Sequence, residues 1–420
     1  MKLQAQGLGE FEAMVTALES IHRHRKASPT TPSDELYYEL ISHYNRRILN
    51  ARAEAKPLVG ATVYVPNELL YAMDMVPMVM ENVAVTFSII RGAQEGMLNT
   101  AKGYGLPPEV CSNHRVMAAF FLNGWAPPLD AVVWTHVLCD NTAKLGEAVA
   151  DICGAPGFFL DRPYRDSGPG VDYLAGELQK MALFLEGVTG RNLDGDRLLA
   201  ALDCSHRMVQ LQQEVDDLRQ QVPSPVSNRK IYQMLFIHWL YSGSPEGVRF
   251  YQVVRDELRE QTGPALPPER TRLLSLFVAP NYDWKILDWM EREHGARIVG
   301  DPYHCHWGPW EHDPSRPLWS LAGKLLNTPA CKQLHGPVEG FVADALQDAA
   351  DFKADAAIYW AHTGCRQACG AIRTVKDALA DVGLPLLVLD CDITDPTFVS
   401  AEELKDRMEA FFEMLEERAE

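Results

Sequence analysis

Two cysteines sit in matching surroundings. Trp134, His136 and Cys139 close the apolar run that starts at Ala131, and Trp360, His362 and Cys365 close the run that starts at Ala356. Both copies read apolar strand, Trp-x-His-x-x-Cys, then a helix-like run, at 142–153 and 371–379. Three uncommon residue types repeated at one spacing suggest two related halves, each presenting a cysteine at the carboxyl end of a strand. Ligands of open parallel sheets sit in the crevice outside those strand ends. A cysteine just before a helix meets oriented N–H groups that favour the thiolate, the form that binds metal or attacks an electrophile. A third cysteine, Cys111, follows the rigid approach Leu106-Pro107-Pro108-Glu109-Val110 and precedes a helix-like run at 114–122. Three thiolates can hold a 4Fe–4S cluster and leave one iron open to a substrate or a water. Zinc is the competing reading, because His114, His136 and His362 are close by in sequence and Cys/His sets suit zinc.

The elements that must position these residues alternate strand and helix, the pattern of a parallel sheet. The fold class expected is α/β, with two Rossmann-like parallel-sheet domains, a helical N-terminal arm and a helical middle segment. The divisions fall at 1–56 for the arm, 57–167 for the first α/β domain, 168–268 for the middle segment and 269–420 for the second α/β domain. In the arm, Phe11, Met14, Val15 and Leu18 keep helical spacing, as do Leu36, Leu40 and Tyr44, so it is expected to pack on the body or on a partner subunit. The first domain reads as strands at 61–65 and 76–80, a strand and turn over 131–139, and a strand at 157–160, with helices between them that include one stretch at 88–103. Cys153 and Cys204 fall within helical patterns and read as core. The middle segment is helical throughout and shows no chemistry of its own.

Composition narrows the function. The 420 residues carry a formal net charge of −18, with 47% hydrophobic and 23% charged residues. An acidic soluble chain of this kind argues against nucleic acid as its partner. No apolar run is long enough to span a membrane. The start, Met1-Lys2-Leu3-Gln4-Ala5, lacks the apolar core of a signal peptide. A cytoplasmic protein with reduced thiols is the expectation, and nine scattered cysteines do not make a disulfide scaffold. Neither GxGxxG nor a Walker loop occurs, so a nucleotide bound by this chain is not expected.

Several motifs, taken in order, resemble one family. Leu106-Pro107-Pro108-Glu109-Val110-Cys111, Cys139-Asp140, the run 360–365 and Leu389-Asp390-Cys391-Asp392 are similar to the 2-hydroxyacyl-CoA dehydratase and ATP-dependent benzoyl-CoA reductase subunits. Val65-Pro66-Asn67-Glu68-Leu69-Leu70 is similar to that family's N-terminal element, and His312-Asp313-Pro314 with Pro317-Leu318 resembles the benzoyl-CoA reductase B-type subunits. The resemblance implies a 4Fe–4S cluster held by Cys111, Cys139 and Cys365. It implies an acyl-CoA substrate and a paralogous second subunit. It also implies a separate ATP-hydrolysing iron–sulfur activator that delivers low-potential electrons one at a time. In dehydratases that electron makes a ketyl radical of the thioester, which expels a hydroxyl; in the reductases it reduces an aromatic ring. Glu68 matches the family's motif glutamate and is the catalytic candidate, as acid/base or hydroxyl-positioning group, although the same place suits a first-turn acid serving a helix dipole. His306, Trp307 and Trp310 read as pocket lining or as a packed aromatic loop. His136 and His362 read as hydrogen-bond partners near the cluster or as ordinary satisfied histidines.

Cys305, Cys331 and Cys369 are extra cysteines near strand ends of the second half. A related branch, the double-cubane proteins, binds an 8Fe–9S cluster through additional cysteines and works as a homodimer. Cys305 and Cys331 fall roughly where that branch places some of them, but the paired motif expected near 331 is single here. The alternatives are therefore a homodimeric double-cubane reductase of small molecules and a non-catalytic metal-binding protein of the same fold.

Overall fold

The computed structural model describes residues 2–164, 168–305, 307 and 310–419. The chain opens with two long helices, α1 (Lys2–Ala27) and α2 (Pro32–Asn50). The break between them is chemical: Thr31 Oγ1 caps α2 by accepting from Asp34 N–H at 3.2 Å, and Pro32 suits the first helical turn. Phe11, Met14, Leu40 and Tyr44 are buried in the main core, so the arm packs on its own body.

The first α/β unit runs β1 (Leu58–Ala61), α3 (Asn67–Ala72), β2 (Val76–Val79), α4 (Met80–Arg91), α5 (Gln94–Tyr104), α6 (Ser112–Leu122), β3 (Ala131–Thr135), α7 (Asp140–Cys153) and β4 (Gly157–Leu160). Its four strands are all parallel, in the order β2-β1-β3-β4. Four helices follow: α8 (Gly168–Thr189), α9 (Gly195–Arg219), α10 (Asn228–Tyr241) and α11 (Pro245–Glu260). The second unit runs β5 (Thr271–Leu276), α12 (Lys285–His294), β6 (Ala296–Gly300), α13 (Pro302–Cys305), α14 (Pro317–Asn327), α15 (Pro329–His335), α16 (Val338–Asp351), β7 (Ala356–His362), α17 (Arg366–Asp381), β8 (Leu386–Cys391) and α18 (Ala401–Ala419). Its strands are again parallel, in the order β6-β5-β7-β8. The two halves thus share one topology, as the repeated motif implied. Strands β1, β2, β5, β6 and β7 are buried at every position, which is why they read as largely apolar runs rather than alternating ones, with buried Arg272 and Arg297 as exceptions.

In each sheet the winding reverses between the first and third strands, β1/β3 and β5/β7. That reversal opens a crevice at the carboxyl ends of the strands. One buried cluster reaches through both halves, from Val79 and Phe120 to Leu274 and Trp360. A second lies under α3, α8 and α14 and includes Leu70, Leu174 and Leu325. Helix α14 belongs to the second half in sequence yet closes this core of the first, tying the halves together.

Three local expectations are corrected. The strand read at 61–65 is Leu58–Ala61, and the residues after it turn, with Tyr64 in the left-handed region at φ 69°. The helix read at 88–103 is two helices, because Gly92 takes φ 59° and ends α4 in a left-handed cap. Cys153 is exposed at the end of α7 and Cys204 is half-buried, so neither is core.

Candidate functional site

Cys139 follows β3 and Cys365 follows β7, and each is the N-cap residue of the next helix, α7 and α17. Cys111 is the N-cap residue of α6. All three open on one cavity between the halves, about 970 Å³ of atom-free space including its mouth. Val63 and Leu138 reach it from the first switch point, Phe277 and Gly364 from the second, so the two crevices face each other. Phe277 holds φ 62°, a strained geometry for a bulky residue and one that clusters at functional sites.

The backbones meet closely there. A Cβ added at Gly364 would lie 2.7 Å from Cys111 Cα and 3.0 Å from Cys111 N. Backbone atoms cannot swing aside, so Gly364→Ala is expected to push the Cys111 loop away and lower stability by about 1–3 kcal/mol, the usual cost of overpacking. Urea denaturation checks the stability, and iron uptake by the variant checks the site.

Each sulfur has a hydrogen-bonding neighbour. His362 Nε2 lies 3.2 Å from Cys111 Sγ, Thr142 Oγ1 lies 3.0 Å from Cys139 Sγ, and Ala368 N–H donates to Cys365 Sγ at 3.5 Å. Burial nonetheless pushes the Cys365 thiol up to about 12. Burial, then the nearness of Cys139 and Cys365, pushes Cys111 well above its ordinary range, and burial also raises Cys139. Burial and mutual repulsion oppose ionising the three thiols together, and a bound metal inverts that logic. Among the described residues no group of three or more His, Cys, Asp or Glu is gathered closely enough to hold a single ion. The thiolates of a cluster each bind a different iron, so they stand further apart than the ligands of one ion. Among the described residues, four buried polar atoms of the cavity wall have no hydrogen-bond partner: Asn82 Oδ1, His114 Nδ1, Asn281 Oδ1 and His362 Nδ1. Such atoms are free to bond with a group held in the cavity. The donor set and these atoms fit an iron–sulfur cluster with a polar substrate group beside it.

Glu68 does not line this cavity. It is 1% exposed and accepts hydrogen bonds from Lys324 Nζ, from Ser205 Oγ at 2.5 Å and from Ser242 Oγ at 3.2 Å. Burial alone would raise its carboxyl, but the charge and hydrogen bond of Lys324, with Ser205, outweigh it and hold Glu68 below the usual carboxylate range. Two carboxylates line the cavity: Asp140, exposed at its mouth, and the buried Glu81, the second residue of α4. Its Oε2 accepts from Val63 N–H at 3.1 Å, and its Oε1 stands 3.8 Å from His114 Nε2. The sequence signal for Glu81 was available, a first-turn acid after a strand, but it is the same signal that Glu68 carries.

The repeated histidines diverge. His362 touches Cys111, whereas His136 is half-exposed and pairs with Asp161 at 2.7 Å away from the cavity wall. Trp307 lies against His238, with ring centroids 5.1 Å apart, in a neighbouring cavity, and Trp310 meets His206 edge to face at 5.4 Å; neither lines the cysteine cavity. His306 and the side chain of Cys305 lie outside the described residues. Cys331 is buried off the cavity wall, and Cys369 is exposed one turn beyond Cys365. The middle segment, which showed no chemistry in sequence, contributes Phe236 and Trp239 of α10 to the wall. No helix among the described residues is long and apolar enough to cross a membrane.

The chain is similar along most of its length to known proteins. The family model for the 2-hydroxyglutaryl-CoA dehydratase D-component matches residues 62–415. The B-type subunit of benzoyl-CoA reductase from Thauera aromatica is 23% identical over 416 residues, covering 90% of this chain and 94% of that protein. The alpha subunit of (R)-2-hydroxyisocaproyl-CoA dehydratase from Clostridioides difficile is 19% identical over 399 residues, covering 90% and 95%. The alpha subunit of lactoyl-CoA dehydratase from Anaerotignum propionicum is 20% identical over 403 residues, covering 87% and 92%.

Proposed function

The chain belongs to the 2-hydroxyglutaryl-CoA dehydratase D-component family, and from that premise we propose that it is the iron–sulfur subunit of an acyl-CoA dehydratase or reductase. The observation that carries the reading is the convergence of Cys111, Cys139 and Cys365, each at a helix N-terminus, on one cavity at facing switch points. These three residues would hold a 4Fe–4S cluster. Such a group supplies one low-potential electron at a time to a thioester carbonyl or an aromatic ring. The curated relatives are named as subunits, which supports a paralogous partner subunit for this chain. We assign the ATP-hydrolysing activator to a separate protein, consistent with the lack of a phosphate loop in this sequence.

The chain's own residues do the rest. Phe236, Phe277 and Leu334 exclude water from the inner wall, which strengthens every electrostatic contact inside. Glu81 is fixed by Val63 N–H and turns its second oxygen towards His114, a place from which it can hold or pass a proton at a bound acyl group. Asn82 and Asn281 offer amide oxygens that a hydroxyl or amide of the substrate would satisfy. Glu81→Gln is expected to lower turnover about 100-fold or more, the scale of a lost acid/base group. Turnover lost in Glu68→Gln but kept in Glu81→Gln would reverse the assignment.

The test of the function is anaerobic purification, iron and sulfide counting, and assay with an ATP-dependent activator against a panel of acyl-CoA thioesters. About four irons per chain supports the single cluster, and about eight supports the 8Fe–9S double cubane of a homodimer. A chain that takes up no iron overturns the reading.

A further inference from the structure

Cys139 and Cys365 are anchored directly by strands, β3 and β7, but Cys111 is not. It lies between α5 and α6, so something else must hold it against the other two. We propose that Asp392, at the end of β8 in the second half, is the positioning residue for Cys111; the proposal rests on the reading of Cys111 as a metal ligand. Asp392 is buried and does not line the cavity. Its Oδ1 accepts from Ser112 Oγ, the residue directly after Cys111, and from the backbone N–H groups of Thr394 and Asp395, both at 2.8 Å. Its Oδ2 faces Arg115 Nη2 at 4.0 Å and His362 Nδ1 at 3.7 Å. The same His362 ring approaches Cys111 Sγ through Nε2.

The neighbours complete the clasp. Thr394 Oγ1 donates to Asn113 Oδ1, and Arg115 also stands 3.8 Å from Asp395 while its Nε donates to Val110 O at 2.9 Å. The first turn of α6 is therefore held to the 392–395 loop at Ser112, Asn113 and Arg115. One carboxylate of the second half fixes the start of a helix of the first. Because hydrogen bonds to charged groups are the strong ones, this grip outranks the exposed Asp140–Arg366 pair that also bridges the cavity mouth at 3.0 Å.

The experiment is thiol alkylation of the full-length, iron-free chain, read cysteine by cysteine by mass spectrometry. In Asp392→Ala, Cys111 should react about tenfold or more faster than in the unaltered chain, the scale of losing hydrogen bonds to a charged group. Cys139 and Cys365 should keep their rates. Asp392→Asn retains an oxygen for the Ser112, Thr394 and Asp395 donors and should stay close to the unaltered chain. Ser112→Ala should reproduce part of the effect and serves if Asp392→Ala fails to fold. On reconstitution with ferrous iron and sulfide, Asp392→Ala should bind iron about tenfold or more weakly. Unchanged Cys111 reactivity in both Asp392→Ala and Ser112→Ala overturns the proposal, as does an equal rise at all three cysteines. An unaltered chain that takes up no iron defeats the cluster reading instead and leaves the alkylation comparison standing.

Discussion

Cys365→Ser is expected to leave the chain with less than one iron, down from about four, after anaerobic desalting. Cys365 caps α17, and its sulfur already accepts from Ala368 N–H, so the site is oriented before any metal arrives. Serine keeps the cap but offers a hydroxyl that does not ionise at neutral pH, so under the proposed function one of the three cluster ligands is lost. The two thiolates left, Cys111 and Cys139, both come from the first half and would grip a cluster from one side only. Cys153→Ser is the control, since Cys153 is exposed at the far end of α7 and should keep its full iron. Cys331→Ser carries separate information. Loss of about half the iron from that variant would favour the 8Fe–9S alternative over a single cubane, because Cys331 lies off the wall that Cys111, Cys139 and Cys365 share.

Lys324→Met is expected to destabilise the fold by about 3–5 kcal/mol, the range for breaking a buried ion pair by removing one partner. Lys324 and Glu68 are 4% and 1% exposed at their side chains, so the carboxylate left behind has no water to turn to. Ser205 and Ser242 would still donate to it, but neither carries charge. The double variant Glu68→Gln with Lys324→Met removes both charges and should recover most of the loss. Chemical denaturation of the four proteins gives the coupling energy directly. A pH dependence follows from Glu68. Its carboxyl is held below the ordinary value in the folded chain, so the unfolded chain binds the proton more readily. Its stabilising share is therefore fully present above the ordinary carboxylate pKa and is lost as pH falls through the depressed folded value. Glu68→Gln should flatten the acid limb of the stability curve, and an unchanged limb would show that other carboxylates govern acid unfolding.

The two acids show where reading along the chain stops. Glu68 and Glu81 are each the second residue of a helix, α3 and α4, and each helix follows a strand. Their local chemistry is the same, and both suit a helix dipole. What separates them is what each helix faces. Helix α3 meets α9 and α14, whose Ser205 and Lys324 close around Glu68, whereas the first turn of α4 opens on the cavity. The same holds for the repeated histidines. His136 and His362 occupy equivalent places, yet one pairs with Asp161 and the other reaches a cysteine that lies 251 positions away in sequence.

By itself the sequence determined the parallel α/β halves, their shared topology, and the delivery of Cys139 and Cys365 at strand ends before helices. These are local properties: continuous apolar runs make buried parallel strands, glycines allow the turns, and the order of elements leaves few topologies open. The tertiary structure alone decided that Glu81 and not Glu68 stands on the cavity wall, that α10 supplies part of that wall, and that Asp392 grips the start of α6. Each of these depends on contacts between residues far apart in the chain, which arise only when the two halves pack face to face and which no periodicity or capping signal encodes.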